Sequence, residues 1–364
     1  MGRLWGVRVA GIWVAGAAAA LAGGAVGVLA VRADRDAGGQ MAVAGLTPDE
    51  VSESQERATP AVKSSGEAGG AAKRPWPSST GAVPGTARAA GPEFVEPSAL
   101  AKRFSTELTR LLKGGKLVTP AALFRQAETA KTCAVVPLAE LGRRLSPEAV
   151  YARARPSVVV VGAIVQQKGP KRFHAALATG FVISRDGAIV TNYHVLEAFQ
   201  HAKAVGVMTD DEQVYPIQAV LAADGHNDVA VVKIEAENLA PLPIAPSVPV
   251  GAPVYCLSHP ALDTEETETA FYTFTQGVVC GKFRLRVDGP VPLNVLAITA
   301  DYAKGSSGGP ILNEHGAVVG IICQTRALFH DEDESEPQLT WKFSRPSSSL
   351  LALLKAPVDP KQTQ

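Results

Sequence analysis

Short segments rich in β-branched residues fill the second half of this chain and constrain its fold more than any other feature. Turn sequences such as "RDG" and "EHG" separate them. The runs are 157–165, 178–184, 188–192, 202–208, 229–234, 253–258, 272–280, 293–300, 317–323 and 339–344. Many short strands at near-regular spacing predict an all-β barrel or sandwich rather than repeated β–α–β units.

The N-terminus carries a run of 23 uncharged residues, from Val9 to Val31. As a helix this run would measure about 34 Å, which is enough to cross a bilayer core of about 30 Å. A cleavable signal core has only about 7–15 residues, so the length favours a retained transmembrane anchor within residues 1–36. The Ala-rich composition and "ALA" at 20–22 keep a cleaved signal open, with a buried soluble helix as a third alternative. Either export route places the rest of the chain outside the cytoplasm.

Composition divides the remaining chain into three regions. Residues 37–97 are dominated by Gly, Ala, Pro and Ser, and they predict a disordered linker. Residues 98–145 form a small helical segment of open role, with Ser98 as the predicted first N-cap, Gly114-Gly115 as the stop, and Thr119-Pro120 opening a second helix. Residues 146–357 hold the strands and end in a predicted helix over 347–355.

Charge and cysteine content exclude several classes of function. The net charge is zero, with 18 Lys/Arg against 12 Asp/Glu up to residue 145 and 17 against 23 beyond it, so nothing predicts a nucleic-acid partner. No phosphate loop, metal cluster or cofactor motif is present, and no cofactor is expected. The four cysteines, Cys133, Cys256, Cys280 and Cys323, lack metal-ligand spacing. A disulfide, with Cys256 and Cys280 on neighbouring strands, and buried free thiols both remain open.

The sequence "GSSGGP" from Gly305 to Pro310 has the composition of a nucleophile loop. A serine hydroxyl needs an adjacent base, a group that orients the base, and backbone donors for the developing oxyanion. Gly305 allows a tight turn that points amides inward, and the glycines after Ser307 let a substrate backbone approach. A plain Gly/Ser loop has a similar composition, so the surrounding residues decide between the two.

Two further segments contribute the partners that a nucleophile needs. His194 follows the run "AIVTN", and Asp228 stands directly before the apolar run 229–234. The order His, Asp, Ser is one in which the catalytic triad recurs on unrelated folds. His194 would take the proton of Ser307 and return it to the leaving amine, while Asp228 fixes the imidazole tautomer. The remaining histidines, His259 among them, are predicted to be surface or loop residues.

With these motifs, residues 146–357 resemble the protease domain of trypsin-like serine proteases of the bacterial high-temperature-requirement (HtrA) type. The resemblance rests on "LSPEAVYARARPSVV", "TGFVISRDGAIVTNYHVL", "NDVAVVKI", "TQGVV", "GSSGGPILNEHGAVVGI" and "KFSRPSS". It implies two six-stranded antiparallel barrels with the active site between them. It also implies Ser307, rather than Ser306, as the nucleophile, with the amides of Gly305 and Ser307 as oxyanion donors. Cys323 would lie on the strand that pairs with substrate, as a packed small residue or as a redox handle.

The sequence departs from this family in three places. The chain ends soon after the barrels, so the family's usual PDZ module is expected to be absent. Tyr193 stands beside His194, where the family often has a small or amide residue. Asp301 lies six positions before Ser307, the offset at which digestive trypsin-like enzymes have the floor of their primary specificity pocket.

Asp301 therefore suggests selection of Lys or Arg in the substrate, through charge pairing in a confined site. The acidic runs 262–271 and 330–337 would lie near the cleft and attract cationic peptides. The alternative is that Asp301 caps its own loop and that both runs are solvated surface.

These observations predict an exported, membrane-anchored serine endopeptidase, periplasmic or extracellular, that acts on polypeptides in quality control or processing. Cleavage of esters or self-processing alone remains open within the same chemistry. The alternative from another class is a catalytically silent barrel that binds polypeptides as a sensor. Trimers are common in the resembled family, but no pattern here predicts an oligomeric state.

Overall fold

The computed structural model of this protein describes residues 94–115, 117–140, 142–166, 173–263, 268–286, 291–329 and 337–355. The predicted anchor and almost all of the predicted linker lie outside these residues and remain predictions. So do most of the acidic run 330–337 and the middle of the run 262–271. Among the described residues, no helix combines the length and the apolar character that a bilayer-spanning helix needs.

Twelve described strands form two closed six-stranded antiparallel barrels. The first barrel has the strand order β1-β2-β3-β6-β5-β4. Its strands are β1 Val158–Gln166, β2 Phe173–Val182, β3 Ala188–Thr191, β4 Ala204–Met208, β5 Val214–Asp224 and β6 Val229–Ile234. The second has the order β10-β11-β12-β9-β8-β7. Its strands are β7 Pro253–Ser258, β8 Thr273–Leu285, β9 Leu293–Ile298, β10 Pro310–Leu312, β11 Val318–Phe329 and β12 Pro337–Pro346. The predicted all-β class with two barrels is therefore confirmed for these residues.

Five α-helices lie within the described residues. They are α1 Pro97–Lys113, α2 Pro120–Thr129, α3 Pro147–Ala154, α4 Tyr193–Phe199 and α5 Ser347–Leu351. Helix α2 begins as predicted, because the Thr119 hydroxyl accepts a hydrogen bond from the Ala122 amide at 3.3 Å. The predicted start of α1 is wrong: Pro97 is its first residue and Glu96 its N-cap. The closing helix is shorter than predicted and ends at Leu351.

The helical segment before the barrels belongs to their core rather than standing apart. Phe104 and Leu108 of α1 are fully buried and join the same apolar cluster as Val160 of β1. Full burial of each of these two side chains contributes about 2 kcal/mol. Further along, the Ala130 carbonyl of the α2 C-cap accepts the Ala223 amide of β5 at 2.7 Å. These contacts fix α1 and α2 on the first barrel.

Two strands were not predicted from the sequence. Strand β5 contains Pro216 and two register shifts, at Ile217/Ala219 and Val220/Ala222, so its side chains do not alternate cleanly. Strand β10 has only three residues. Of the two states left open for the cysteines, a disulfide and free thiols, the structure has free thiols. Cys256 and Cys280 lie on the paired strands β7 and β8, yet all four cysteines are free.

Candidate active site

His194 is placed by the short helix α4, which follows β3 directly. Val195, Leu196 and Phe199 are buried in the core of the first barrel and hold the helix against it. His194, the second residue of the helix, keeps 32% of its side chain exposed. His194 therefore lies in the first turn of a helix, whose early amides lack partners within the helix.

Asp228 supplies the acceptors that this helix end and its histidine need. One carboxylate oxygen accepts the His194 backbone amide at 2.9 Å, and the other lies 2.8 Å from the His194 Nδ1. The carboxylate side chain is only 8% exposed. Its backbone has φ 52°, a left-handed conformation that Asp tolerates better than most residues. The Asn192 side-chain amide donates to the Asp228 carbonyl at 2.8 Å and fixes the same turn.

Cys323 of β11 completes the surroundings of this carboxylate. Its thiol donates to Asp228 Oδ2 at 2.9 Å. Burial tends to raise the pKa of Asp228, but the charge of His194 and the hydrogen bonds from His194 and Cys323 outweigh it, and the net pKa is lowered. Asp228 is therefore ionised at neutral pH.

The Cys323 thiol itself is not a reactive one. Burial, followed by the nearby charge of Asp228, raises its pKa well above the ordinary value, so the thiol stays protonated. Of the two roles left open for this residue, the packed donor fits the structure. The atoms of His194, Asp228 and Cys323 that could bind a metal ion lie within 4.8 Å of one another, as they would in a metal site. Hydrogen bonds already join the three groups, however, and this arrangement suits proton transfer.

Ser307 lies in the loop between β9 and β10, held from two sides. The Gly308 amide donates to the Ile322 carbonyl of β11 at 3.0 Å, and the Thr179 amide of β2 donates to the Ser307 carbonyl at 3.0 Å. The Ser307 hydroxyl donates to the Cys323 carbonyl at 3.3 Å. Cys323 therefore contacts both Ser307 and Asp228 and joins the three predicted residues into one cluster. Within the described residues, no hydrogen bond links Ser307 directly to His194.

The loop presents two amides of the kind that an oxyanion needs. Gly305 has φ +89°, a conformation that favours glycine. The amides of Gly305 and Ser307 donate to no acceptor in the part of the chain that the structure describes. The side chain of Ser306, by contrast, is buried and bonded to the Ser258 hydroxyl at 3.0 Å.

Residues 178–321, which contain His194, Asp228 and Ser307, match the family model described as "Trypsin-like peptidase domain". A "Probable periplasmic serine endoprotease DegP-like" of Chlamydia trachomatis is 32% identical over 159 residues, covering 43% of this chain and 30% of that protein. This chain carries a trypsin-like protease domain of the HtrA type.

Other similar proteins have related descriptions. The "Putative serine protease HhoB" of Synechocystis is 36% identical over 155 residues, covering 41% of this chain and 34% of that protein. The crystal structure of the serine endoprotease from Yersinia pestis aligns with 24% identity and a TM-score of 0.43, over 57% of this chain and 65% of that one. The chain spans about a third of the length of the curated relatives it matches.

The charge of Asp301, six residues before Ser307, is already paired. Its side chain is 84% exposed, and one carboxylate oxygen lies 3.4 Å from the Nζ of Lys342. The Thr275 hydroxyl donates to the Asp301 carbonyl at 2.6 Å and holds the backbone. Asp301 is thus not an unpaired carboxylate in an enclosed pocket.

Two residues that join the barrels at the site were missed by sequence reasoning. The Thr179 hydroxyl donates to the Gly305 carbonyl at 2.8 Å and accepts the His259 amide at 3.0 Å. Thr179 lies inside the quoted motif "ATGF", which was the available signal. His259 lies in a loop, as predicted, but it is fully buried rather than at the surface, and its Nδ1 accepts the Tyr272 amide at 3.0 Å. Burial lowers the pKa of His259 to about 3.

Proposed function

We propose that this protease domain is a serine endopeptidase in which Ser307 is the nucleophile, His194 the general base and Asp228 the group that orients the base. The observation that carries this proposal is the hydrogen bond of 2.8 Å between His194 Nδ1 and the buried, ionised Asp228. When the Nδ1–H group donates a hydrogen bond to Asp228, the neutral ring has its lone pair on Nε2. This is the nitrogen that must accept the serine proton.

The proposed reaction uses these groups in turn. Ser307 Oγ attacks the carbonyl carbon of the scissile peptide as its proton passes to His194 Nε2. The amides of Gly305 and Ser307, which have no acceptor among the described residues, stabilise the negative oxygen of the tetrahedral intermediate. His194 next protonates the leaving amine, and a water molecule, activated by the same histidine, hydrolyses the acyl-enzyme. None of these steps requires a cofactor.

The polypeptide substrate has a free strand edge on which to bind. Strand β10 pairs with β11 only up to Ile321, whereas β12 accompanies β11 on its other side to Phe329. Beyond Cys323, therefore, β11 has a pairing partner on one side only among the described strands. An extended peptide that added to this edge would bring its carbonyl to Ser307.

We further propose that the domain acts outside the cytoplasm, attached to a membrane. The support is the uncharged run from Val9 to Val31 and the periplasmic location in the names of similar proteins. Protease protection in intact cells tests this placement: added protease should degrade the domain after the outer envelope is opened, without lysis of the inner membrane.

The experiment for the catalytic proposal is peptide cleavage by the full chain. The wild-type protein should cleave a denatured protein or a peptide library at internal bonds, and Ser307→Ala should not. Ser306→Ala is the matched control, since the neighbouring hydroxyl is buried and bonded to Ser258. Cleavage that persists at the wild-type rate in Ser307→Ala would reject the assignment.

A second candidate is a polypeptide-binding module without catalysis. It is favoured by one observation: the Ser307 hydroxyl donates to the Cys323 carbonyl rather than to His194. A folded wild-type protein that binds unfolded polypeptide but neither cleaves it nor reacts with an active-site probe would establish this function instead. Catalytic hydrogen bonds often form fully only in the substrate complex, so we prefer the enzyme.

A further inference from the structure

A second set of contacts lies in the region beside Ser307. Three segments border this region: the loop 301–306, β11 at 323–325, and β12 at 342–344. The latter two are adjacent in the sheet, with Gln324 opposite Phe343 and Thr325 opposite Lys342. We take a substrate side chain next to the bond attacked by Ser307 to lie against these segments, because Ser307 Oγ lies 3.3 Å from the carbonyl of Cys323, the residue before Gln324.

Tyr302 spans the interior of this region. Its side chain is almost wholly buried, at 6% exposure. The hydroxyl lies 2.9 Å from the carbonyls of both Gln324 and Phe343 and 3.1 Å from the Ser344 hydroxyl. A single O–H satisfies the two carbonyls in turn, and Ser344 donates to the phenol oxygen. Tyr302 therefore links the nucleophile loop to both strands.

Lys342 lies against the ring and the backbone carbonyl of Tyr302. Its Nζ is 5.2 Å from the centre of the Tyr302 ring, 2.8 Å from the Tyr302 carbonyl and 3.4 Å from Asp301 Oδ1. Only 14% of the lysine side chain is exposed. An ammonium group this sheltered needs its partners, and the ring, the carbonyl and the carboxylate supply them. The chain thus places its own lysine where a carboxylate would otherwise receive a substrate cation.

We propose that Lys342 is a resident counter-ion that occupies Asp301 and closes the region beside Ser307 to lysine and arginine of the substrate. The protease domain then cleaves after uncharged residues. The inference rests on the proposed endopeptidase function and deepens it: Asp301 carries the potential to select basic residues, and Lys342 suppresses it. Specificity of this kind depends on which charges are left unpaired, and not only on which are present.

A double-mutant cycle in the full chain tests the proposal through cleavage. Wild type should cleave peptides with Ala or Val before the scissile bond at least about 100-fold faster than peptides with Lys or Arg. Lys342→Ala should narrow this ratio about 10-fold or more, because it frees Asp301 and opens the face of Tyr302. Asp301→Asn alone should change little, and the double variant should lose the gain. Lys282→Ala, an exposed lysine on β8, is the matched control.

A binding measurement decides the matter even if no peptide is cleaved. Benzamidine is a planar cation that can stack on a tyrosine ring and pair with a carboxylate. In calorimetric titrations of Ser307→Ala backgrounds, it should bind about 10-fold more tightly or better when Lys342→Ala is added, and Asp301→Asn should abolish that gain. Equal benzamidine affinity with and without Lys342, or a wild-type enzyme that already prefers Lys and Arg, would overturn the inference.

The two arms also separate this inference from the proposed function. Absence of all cleavage together with the predicted benzamidine gain would reject the enzyme and keep the resident counter-ion. Cleavage with an unchanged ratio in Lys342→Ala would keep the enzyme and reject the counter-ion. Thermal unfolding of each variant shows whether the sheet is intact, since Lys342 pairs with strands on both sides.

Discussion

The two barrels differ in how much of each strand is covered, and this difference separates chemistry from recognition. In the first barrel β1 is buried along all but its last two residues, and β3 and β4 are buried throughout. In the second barrel β8 and the outer halves of β11 and β12 are largely exposed. The more deeply buried first barrel holds His194 and Asp228, whereas the more exposed second barrel carries Ser307 and the Asp301–Lys342 pair. Reacting groups need fixed positions, and a binding edge needs access.

Hydrogen bonds at the junction between the barrels hold the loop around Ser307 against the first barrel. Thr179 of β2 contacts Gly305, Ser307 and His259, all of which belong to the second barrel or its loops. The proposed nucleophile, Ser307, is therefore positioned by the first barrel although the second barrel carries it. The following predictions test that division, beginning with the largest effect.

Asp228→Asn should reduce kcat/KM about 10³- to 10⁴-fold in peptide cleavage, because an amide nitrogen cannot accept the His194 Nδ1 proton and the wrong tautomer results. Asp186→Asn is the control in the same barrel, since this carboxylate is 76% exposed. A loss of less than about 10-fold from Asp228→Asn would show that the first barrel does not carry the chemistry.

Gly308→Ala should lower the free energy of unfolding by about 3–5 kcal/mol, through strain at positive φ and overpacking at the junction. A Cβ there would lie 2.2 Å from the Thr179 carbonyl oxygen, at a residue with φ +86°. Gly251→Ala is the matched control: it has the same φ of +86° but nothing within 4 Å. It should cost only about 1 kcal/mol. Equal losses in urea unfolding would mean that the junction is not tightly packed.

Thr179→Val should cost about 3 kcal/mol of unfolding free energy and lower kcat more than it raises KM. The valine leaves the Gly305 carbonyl without its donor and the His259 amide without its acceptor, and each buried loss costs about 1–3 kcal/mol. Thr179→Ser keeps the hydroxyl and should retain most of the stability and rate. If serine and valine behave alike, the hydroxyl does not position the nucleophile loop.

Acidification should destabilise the junction through His259. Its pKa is about 3 when folded, against 6.5 in the unfolded chain, so the unfolded state binds more protons between these values and stability rises with pH there. Between pH 7 and pH 4.5 the free energy of unfolding should fall by about 2–3 kcal/mol from this residue. His259→Asn should flatten this dependence, and His201→Asn, at an exposed histidine, should not. An unchanged slope in His259→Asn would place the titration elsewhere.

Sequence reasoning reached the fold class and the cluster of site residues because their signals are local. A histidine after one strand, an aspartate before another and a Gly-Ser loop each occupy a few consecutive residues. The count of six strands per barrel came from family resemblance, since Pro216 and two bulges hide the alternation of β5.

Contacts between distant segments were beyond such reasoning. Lys342 meets Asp301 only because β12 folds against the nucleophile loop, and no pattern along the chain marks that lysine as a counter-ion. His259 looks like a loop histidine in sequence, and its burial depends on the packing of Phe271 and Tyr272 against its ring. Local pattern was enough to predict His194, Asp228 and Ser307 as site residues, whereas the pairing of Asp301 with Lys342 required the tertiary structure.

The central claim is that Ser307 is an activated nucleophile, and the most direct measurement is mass-spectrometric mapping of a fluorophosphonate adduct on the folded full chain. The account predicts one phosphonylated residue, Ser307, with labelling abolished in Ser307→Ala and strongly slowed in His194→Ala. Absence of any adduct on the folded protein, or labelling at another serine that persists in Ser307→Ala, would contradict it.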